Sequence, residues 1–360
     1  MLRTIRSVRT PIAALVLAAL AAACAAATPT PAPTPTPTPT PPYGLPPLVL
    51  PADEAPHDFS TEWWYFNVHL WSEDGRRYTL HDVVFQIQEL GSSRTLYVRQ
   101  AGFADVSAGT HATAERVRSE PEPLSEQAGV FRAGFGDLFI SAQDGRRYRL
   151  VGEVGATAYD LTLLATTEPL LHHDDGLVDF KEAGITYYYS RPRLDVSGTV
   201  TPAGGTAVAV SGLGWMDRQW GNFQPVAIGW DWASVQLDDG TDLMLTRVFD
   251  AGGVTVESYA TLRQGDGPAR LLSVGEFTFA PAGPTWTSER TGTSYATIWR
   301  VAVPGAVDEL TLEPLVGGNE FVSAARGLVY WEAGVEVRAS DGRVVGQGFV
   351  ELNWPLGATP

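Results

Sequence analysis

Two stretches of the chain interleave carboxylates with large aromatic side chains: His57-Asp58-Phe59-Ser60-Thr61-Glu62-Trp63-Trp64-Tyr65-Phe66, and Gly214-Trp215-Met216-Asp217-Arg218-Gln219-Trp220-Gly221 followed by Gly229-Trp230-Asp231-Trp232. A carboxyl desolvated among indoles has its pKa raised, so it keeps its proton near neutrality and can donate it. Aromatic faces stabilise a carbocation by cation–π attraction worth ~0.5 to 2 kcal/mol each. Acid and aromatics together suit protonation of an olefin, followed by capture of the cation by water. Asp217, Asp231 and Glu62 are the candidate acids. His57, Trp63, Trp64, Tyr65, Trp215, Arg218, Trp220, Trp230 and Trp232 are the candidate walls of an apolar site. The same walls suit passive binding of a long apolar ligand. A structural reading stands beside both, with the aromatics as core or as an interface between domains, Glu62 and Arg218 as an ion pair, and Asp217 capping a turn.

Other chemistries lack their usual supports. The chain has no Gly-x-Ser-x-Gly elbow, Gly-Lys-Ser phosphate loop, dinucleotide fingerprint or His-Glu-x-x-His helix, which removes the common hydrolase, kinase, dehydrogenase and zinc-helix readings. His172-His173-Asp174-Asp175-Gly176 gathers metal-capable side chains. Neighbours on a strand point to opposite faces, and the spacing is not that of a calcium loop, so a polar loop is expected there rather than a metal site. The 360 residues carry a formal charge of −16. With no basic stripe to offset it, nucleic acid is not an expected partner.

Strands must position these residues. Charged residues make up 18%, and 37 Gly and 26 Pro accompany 11 Trp, 12 Tyr and 14 Phe, a composition of short strands joined by turns. No segment after Tyr43 has a long helical period. Hairpin turns are expected at Asp74-Gly75, Asp144-Gly145, Asp239-Gly240 and Asp341-Gly342, because Asp-Gly supplies the positive φ of a tight two-strand turn. Two of these hairpins resemble each other. With Trp63 set on Trp230, Tyr65 falls on Trp232, Val68 on Val235 and Leu70 on Leu237, and beyond the turn Leu80 falls on Leu245 and Val83 on Val248. Each half must then close its own sheet, since an open sheet of that length leaves apolar edges. The expected fold is all-β: two antiparallel barrels over 48–203 and 204–360, divided at Thr201-Pro202-Ala203-Gly204-Gly205. Alternation sends Trp230 and Trp232 to one face and Asp231 to the other, and which set lines the interior stays open.

At the beginning of the sequence, Arg3, Arg6 and Arg9 precede the apolar run Pro11 to Ala23, about a dozen residues and too short for ~30 Å of hydrocarbon. Residues 1–23 read as a signal peptide. The only cysteine, Cys24, follows Ala21-Ala22-Ala23 in the manner of a lipoprotein box, so Cys24 is expected to carry lipid and anchor the chain to a membrane. A lone cysteine also excludes an internal disulfide framework. Residues 24–47 hold a Thr-Pro alternation that blocks helix and sheet ladders and spaces the barrels up to ~50 Å from the anchor. The expected location is the cell envelope, facing outside the cytoplasm.

In combination, these motifs resemble the superfamily of carotenoid 1,2-hydratase (hydroxyneurosporene synthase) and related lipocalin-like secreted proteins. The likeness rests on Pro51-Ala52-Asp53 leading through His57 to Glu62-Trp63-Trp64-Tyr65, on Tyr188-Tyr189-Ser190 with Leu194 to Gly198, and on the stretches from Trp215 to Gly221 and from Trp230 to Gly240. It implies two lipocalin-like barrels in tandem and hydration of isoprenoid double bonds without an organic cofactor. His57, Glu62, Trp63, Trp64 and Tyr65 match the first motif; Asp217, Arg218, Trp220, Trp230, Asp231 and Trp232 match the second. Gln219 and Val68 depart from the pattern, where an acidic residue and a glycine are usual. Two functions remain open: a water-adding lyase acting on an isoprenoid or lipid, and a non-catalytic carrier lipoprotein for apolar small molecules.

Overall fold

Period-two alternation between Asp-Gly turns builds strands throughout. The computed structural model describes residues 42–88, 95–119, 129–324 and 327–355, and among these the only helical elements are three-residue 3-10 turns. Cys24, the segment 1–23 and the Thr-Pro tract up to residue 41 lie outside the described residues. Residues up to Gly44 and those from Leu45 onward cluster as two units, and every described strand belongs to the second.

In the first half the strands are β1 (Thr61–Ser72), β2 (Arg77–Gln88), β3 (Thr95–Asp105), β4 (Thr110–Arg118), β5 (Phe131–Phe135), β6 (Leu138–Ala142), β7 (Arg147–Val154), β8 (Thr157–Ala165), β9 (Leu170–Leu171), β10 (Leu177–Asp179), β11 (Gly184–Thr201) and β12 (Val208–Phe223). They form one sheet in the order β4-β3-β2-β1-β12-β11-β8-β7-β6-β5, with β9 and β10 paired to β11. The sheet curls until Arg99 of β3 donates to the Val151 carbonyl of β7 at 2.9 Å and Arg116 of β4 pairs with Glu153 of β7. This is the nearly closed first barrel.

The second half contains β13 (Ile228–Leu237), β14 (Thr241–Asp250), β15 (Thr255–Gln264), β16 (Arg270–Ser273), β17 (Thr278–Pro281), β18 (Thr285–Thr287), β19 (Ser294–Ala296), β20 (Trp299–Val303), β21 (Val307–Pro314), β22 (Glu320–Val322), β23 (Val329–Ala339) and β24 (Val344–Asn353). Its sheet runs β16-β15-β14-β13-β24-β23-β21-β20-β17 and curves into a half-barrel. The two curved sheets are the lipocalin-like barrels expected from the sequence.

All four Asp-Gly turns close hairpins, with φ of 84° at Gly75, 72° at Gly145, 89° at Gly240 and 86° at Gly342. The duplication also holds in topology: β1 pairs with β2 on one side and with β12 on the other, just as β13 pairs with β14 and with β24. The passage between sheets lies later than expected. The Thr201–Gly205 stretch is the hairpin that joins β11 to β12, and β12 pairs with both β1 and β11. The chain leaves the first sheet only at the 3-10 turn Pro225–Ala227. Proline and glycine mark any tight turn and do not distinguish a hairpin from a domain boundary.

Alternation splits each aromatic run between two cores. Trp64, Phe66, Val68 and Leu70 fill the first barrel with Tyr78, Leu80, Leu161 and Leu163. Ala233, Val235 and Leu237 do the same in the second with Leu243, Val335 and Leu352. Trp63, Tyr65, Trp230 and Trp232 point the other way, into a third cluster between the barrels.

Candidate active site between the two barrels

The strand registers place one cross-strand row of each sheet opposite a row of the other. In the first sheet the row runs Gln100, Val83, Tyr65, Asp217, Ser190. In the second it runs Glu332, Glu351, Trp232, Thr246, Tyr259. Adjacent rows two residues away carry Phe85, Trp63, Gln219 and Tyr188 on one side, and Tyr330, Asn353, Trp230 and Val248 on the other. These side chains, apart from Ser190, line a cavity of about 120 Å³. Hydrogen bonds cross it: Tyr65 donates its hydroxyl to Glu332 Oε1 at 2.5 Å, and Trp232 donates Nε1–H to the Tyr188 hydroxyl at 2.9 Å.

Asp217 is the expected acid that faces this cavity. Its carboxyl is buried and accepts from Ser190 Oγ (2.5 Å), Trp215 Nε1 (2.6 Å) and the Tyr188 hydroxyl. Burial pushes its pKa up to about 6, against the pull of those three donors. Behind it, His172 Nε2 lies 2.8 Å from Ser190 Oγ and His172 Nδ1 lies 2.9 Å from Thr261 Oγ1. With Asp217 ionised, Ser190 donates to it, His172 donates through Nε2–H to Ser190, and Thr261 donates to Nδ1. His172 therefore stays neutral, its pKa driven down by desolvation. The expected polar loop is a turn, but its first histidine is buried against the site.

Two further acids were missed by the sequence reading. Glu351 sits beside Trp232, and desolvation reinforced by the charge of Asp217 raises its pKa to about 8. Glu332 is buried beside Glu351, which together with desolvation pushes it well above the ordinary carboxylate range. His81 Nδ1 lies 3.3 Å from Glu332, but burial depresses the His81 pKa to about 3 and keeps it neutral. A sequence signal for both acids existed. Extending the duplication to the later strands sets Gly214-Trp215-Met216-Asp217 on Gly348-Phe349-Val350-Glu351, and Tyr188-Tyr189-Ser190 on Tyr330-Trp331-Glu332. The registers agree, since Asp217 pairs with Ser190 as Glu351 pairs with Glu332.

The remaining candidates lie elsewhere. Glu62, Trp64, Arg218 and Trp220 share the opposite face of β1 and β12, where Arg218 pairs with Glu62 and lies 4.1 Å over Trp64 and 4.8 Å over Trp220. His57 stacks on Trp220 at 4.4 Å and its Nδ1 lies 2.7 Å from Glu62 Oε1. The expected Glu62–Arg218 ion pair is present, and none of these five residues lines the cavity. Asp231 turns away from Trp230 and Trp232 and pairs with Arg247 at 2.6 Å, outside the residues that line the cavity. Asp217 caps no turn; it lies inside β12. Among the described residues, no group of three or more His, Cys, Asp or Glu side chains is disposed to hold a metal ion.

The AttH-like family model matches residues 40–354. The solved structure of an AttH protein from Nitrosomonas europaea is similar over 85% of this chain and 96% of its own, with 28% identity and a TM-score of 0.75. Kievitone hydratase from Nectria haematococca aligns over 86% of this chain and 93% of its own, at 18% identity and a TM-score of 0.69. CghA in complex with Sch210972 aligns over 83% and 90%, at 14% identity and a TM-score of 0.54. The last two likenesses concern the fold. No curated protein matches the chain.

Proposed function

The chain belongs to the AttH-like family, and from that premise we propose that it is a hydratase, adding water across a carbon–carbon double bond of an apolar molecule held between its barrels. The observation that carries this reading is the convergence of Asp217 and Glu351 on one aromatic-walled cavity, with environments that set their pKa values apart, at about 6 and about 8. Near neutrality Asp217 is mostly ionised and Glu351 mostly protonated, which assigns base and acid. Glu351 delivers its proton to one olefinic carbon, forming a C–H bond and leaving positive charge on the more substituted neighbour. Trp63, Trp230, Trp232 and the Asp217 carboxylate stabilise that charge. Water attacks the cation, a C–O bond forms, and Asp217 takes the released proton, which bulk water returns to Glu351.

That kievitone hydratase is a hydratase by name, on this fold, supports the class of reaction. The resemblance to carotenoid 1,2-hydratases narrows the substrate to an isoprenoid chain. A cavity of about 120 Å³ is comparable to the ~150 Å³ that accepts benzene, so it encloses the terminal unit of such a chain rather than its length. We place the protein in the cell envelope, anchored through Cys24; Cys24→Ala is expected to move it from the membrane to the soluble fraction, and membrane retention of that variant would remove the anchor.

The hydration test is anaerobic incubation with acyclic isoprenoid olefins in ¹⁸O-water, followed by mass spectrometry. The expected product has gained one labelled water, with a bell-shaped pH profile whose limbs lie near the two pKa values. Asp217→Asn and Glu351→Gln should each lower the rate by ~10² or more. The three donors already satisfying Asp217 favour the second reading, a carrier without bond chemistry. Retention of the intact olefin with no labelled product would decide for it.

A further inference from the structure

The cavity gathers Asp217, Glu332 and Glu351, yet among the described residues that line it there is no Arg, Lys or His. Carboxyls buried in such a chamber either hold their protons or take a positive partner. Two more polar groups face the same space without a partner. Asn353, 7% exposed, has no donor for its Oδ1, and Tyr259, 2% exposed, has no partner for its hydroxyl. A buried acceptor left open calls for a donor from outside the chain. The carboxyls are not disposed to share a metal ion, and the space between them is walled by indole and phenol rings, whose faces attract cations.

We infer that this cavity is a binding site for an apolar organic cation, a tertiary ammonium whose alkyl or aryl groups lie against Trp63, Trp230 and Trp232 and whose N–H points to Asn353 Oδ1. The ammonium supplies a positive charge beside the carboxyls and a donor for Asn353 together. The inference goes beyond hydration, because such a cation is held whether or not a double bond is ever protonated here. Binding also displaces protons: burial holds the Glu351 and Glu332 carboxyls above the ordinary carboxylate range, and a cation beside them favours the ionised form. The groups that sense the cation are Asp217, Glu332, Glu351, Tyr65, Tyr188, Tyr259 and Tyr330, with neutral His81 and His172 behind them.

The test compares benzyldimethylamine, a cation at about pH 7.5, with isobutylbenzene, which has the same shape and no charge. Affinity is read by tryptophan fluorescence and by calorimetry in two buffers of different ionisation enthalpy. The cation is expected to bind at least about tenfold more tightly and to release protons; the hydrocarbon should release none. Glu351→Gln with Asp217→Asn should weaken the cation by about tenfold or more and leave the hydrocarbon unchanged, which also shows that the variant is folded. Asn353→Leu should weaken benzyldimethylamine but not benzyltrimethylammonium, which lacks the N–H. Equal affinity for the charged and uncharged probes, or binding of neither, overturns the inference. Cation binding without any water-added product sinks hydration alone, and a labelled product without cation preference sinks this inference alone.

Discussion

Asp217 shows how far a single residue's role is set by what stands behind it. Its carboxyl is pulled toward the ionised form by Ser190, Trp215 and Tyr188 and toward the neutral form by burial. The Thr261–His172–Ser190 chain fixes the direction in which Ser190 donates. Removing that donor should therefore raise the Asp217 pKa. Hydrogen bonds to charged groups contribute ~1.5 to 3 kcal/mol, so Ser190→Ala is expected to raise it by about one to two units, read from the carboxyl carbon by NMR titration. A change of less than about 0.3 unit would mean that the chain behind Asp217 carries no influence. Asp217 could be singled out in the sequence because it lies between tryptophans, but so does Asp231, and Glu62 stands directly before Trp63-Trp64. What separates them is strand parity together with the neighbouring cation, Arg218 for Glu62 and Arg247 for Asp231. Neither the buried face nor a partner on another strand is written into a local stretch.

At the scale of the strands, much more was legible. The Asp-Gly turns, the hairpin duplication and the all-β class follow from short-range rules of turn chemistry and alternation. The hidden part is that each sheet uses both faces, one for its own barrel and one for its partner. A strand buried on both sides reads as a near-continuous apolar run, which is how β1 presents Trp63-Trp64-Tyr65-Phe66. Close approach of the outer faces depends on small residues. At Gly334 of β23 an added Cβ would lie 2.6 Å from Thr79 Cγ2 and 2.9 Å from Thr79 Cβ on β2. Thr79 is β-branched and buried, so it cannot swing away as a flexible side chain would. Gly334→Ala should then wedge the barrels apart at a cost of ~1 to 3 kcal/mol, seen as a lower urea midpoint. Because β2 and β23 flank the cavity through Phe85 and Glu332, the same variant should loosen the Tyr65–Glu332 contact. Pairing it with Thr79→Ala should restore stability if contact between the sheets is the cause, and a double variant no better than the single one would locate the damage within β23.

For the molecule as a whole, two sets of buried groups oppose each other as pH changes. His69 and His81 are held down to about 3 and His111 to about 4 by desolvation, and His172 is also driven low. A histidine with a depressed folded pKa contributes stability above its unfolded value near 6.5, and that contribution is lost as pH falls through the folded pKa. Glu351, at about 8, and Glu332 are shifted the other way. Their contribution is fully present below the unfolded value near 4.5 and is lost as pH rises through the folded one. Below pH ~6.5 the unfolded chain takes up protons on these four histidines while the folded chain keeps them on two carboxyls, so the histidine slope outweighs the other and the two cancel only near pH ~6.5. The stability curve should thus peak near pH ~6.5 and fall toward pH ~9 by on the order of 2 kcal/mol for Glu351, with Glu332 acting in the same direction. Glu351→Gln, which removes the ionisation but keeps the shape, should flatten the alkaline limb without moving the acid one. Urea midpoints across that range measure both limbs. An alkaline limb equally steep in Glu351→Gln and in the double variant with Glu332→Gln would assign the loss to the general repulsion of a chain with net charge −16 and not to these two acids.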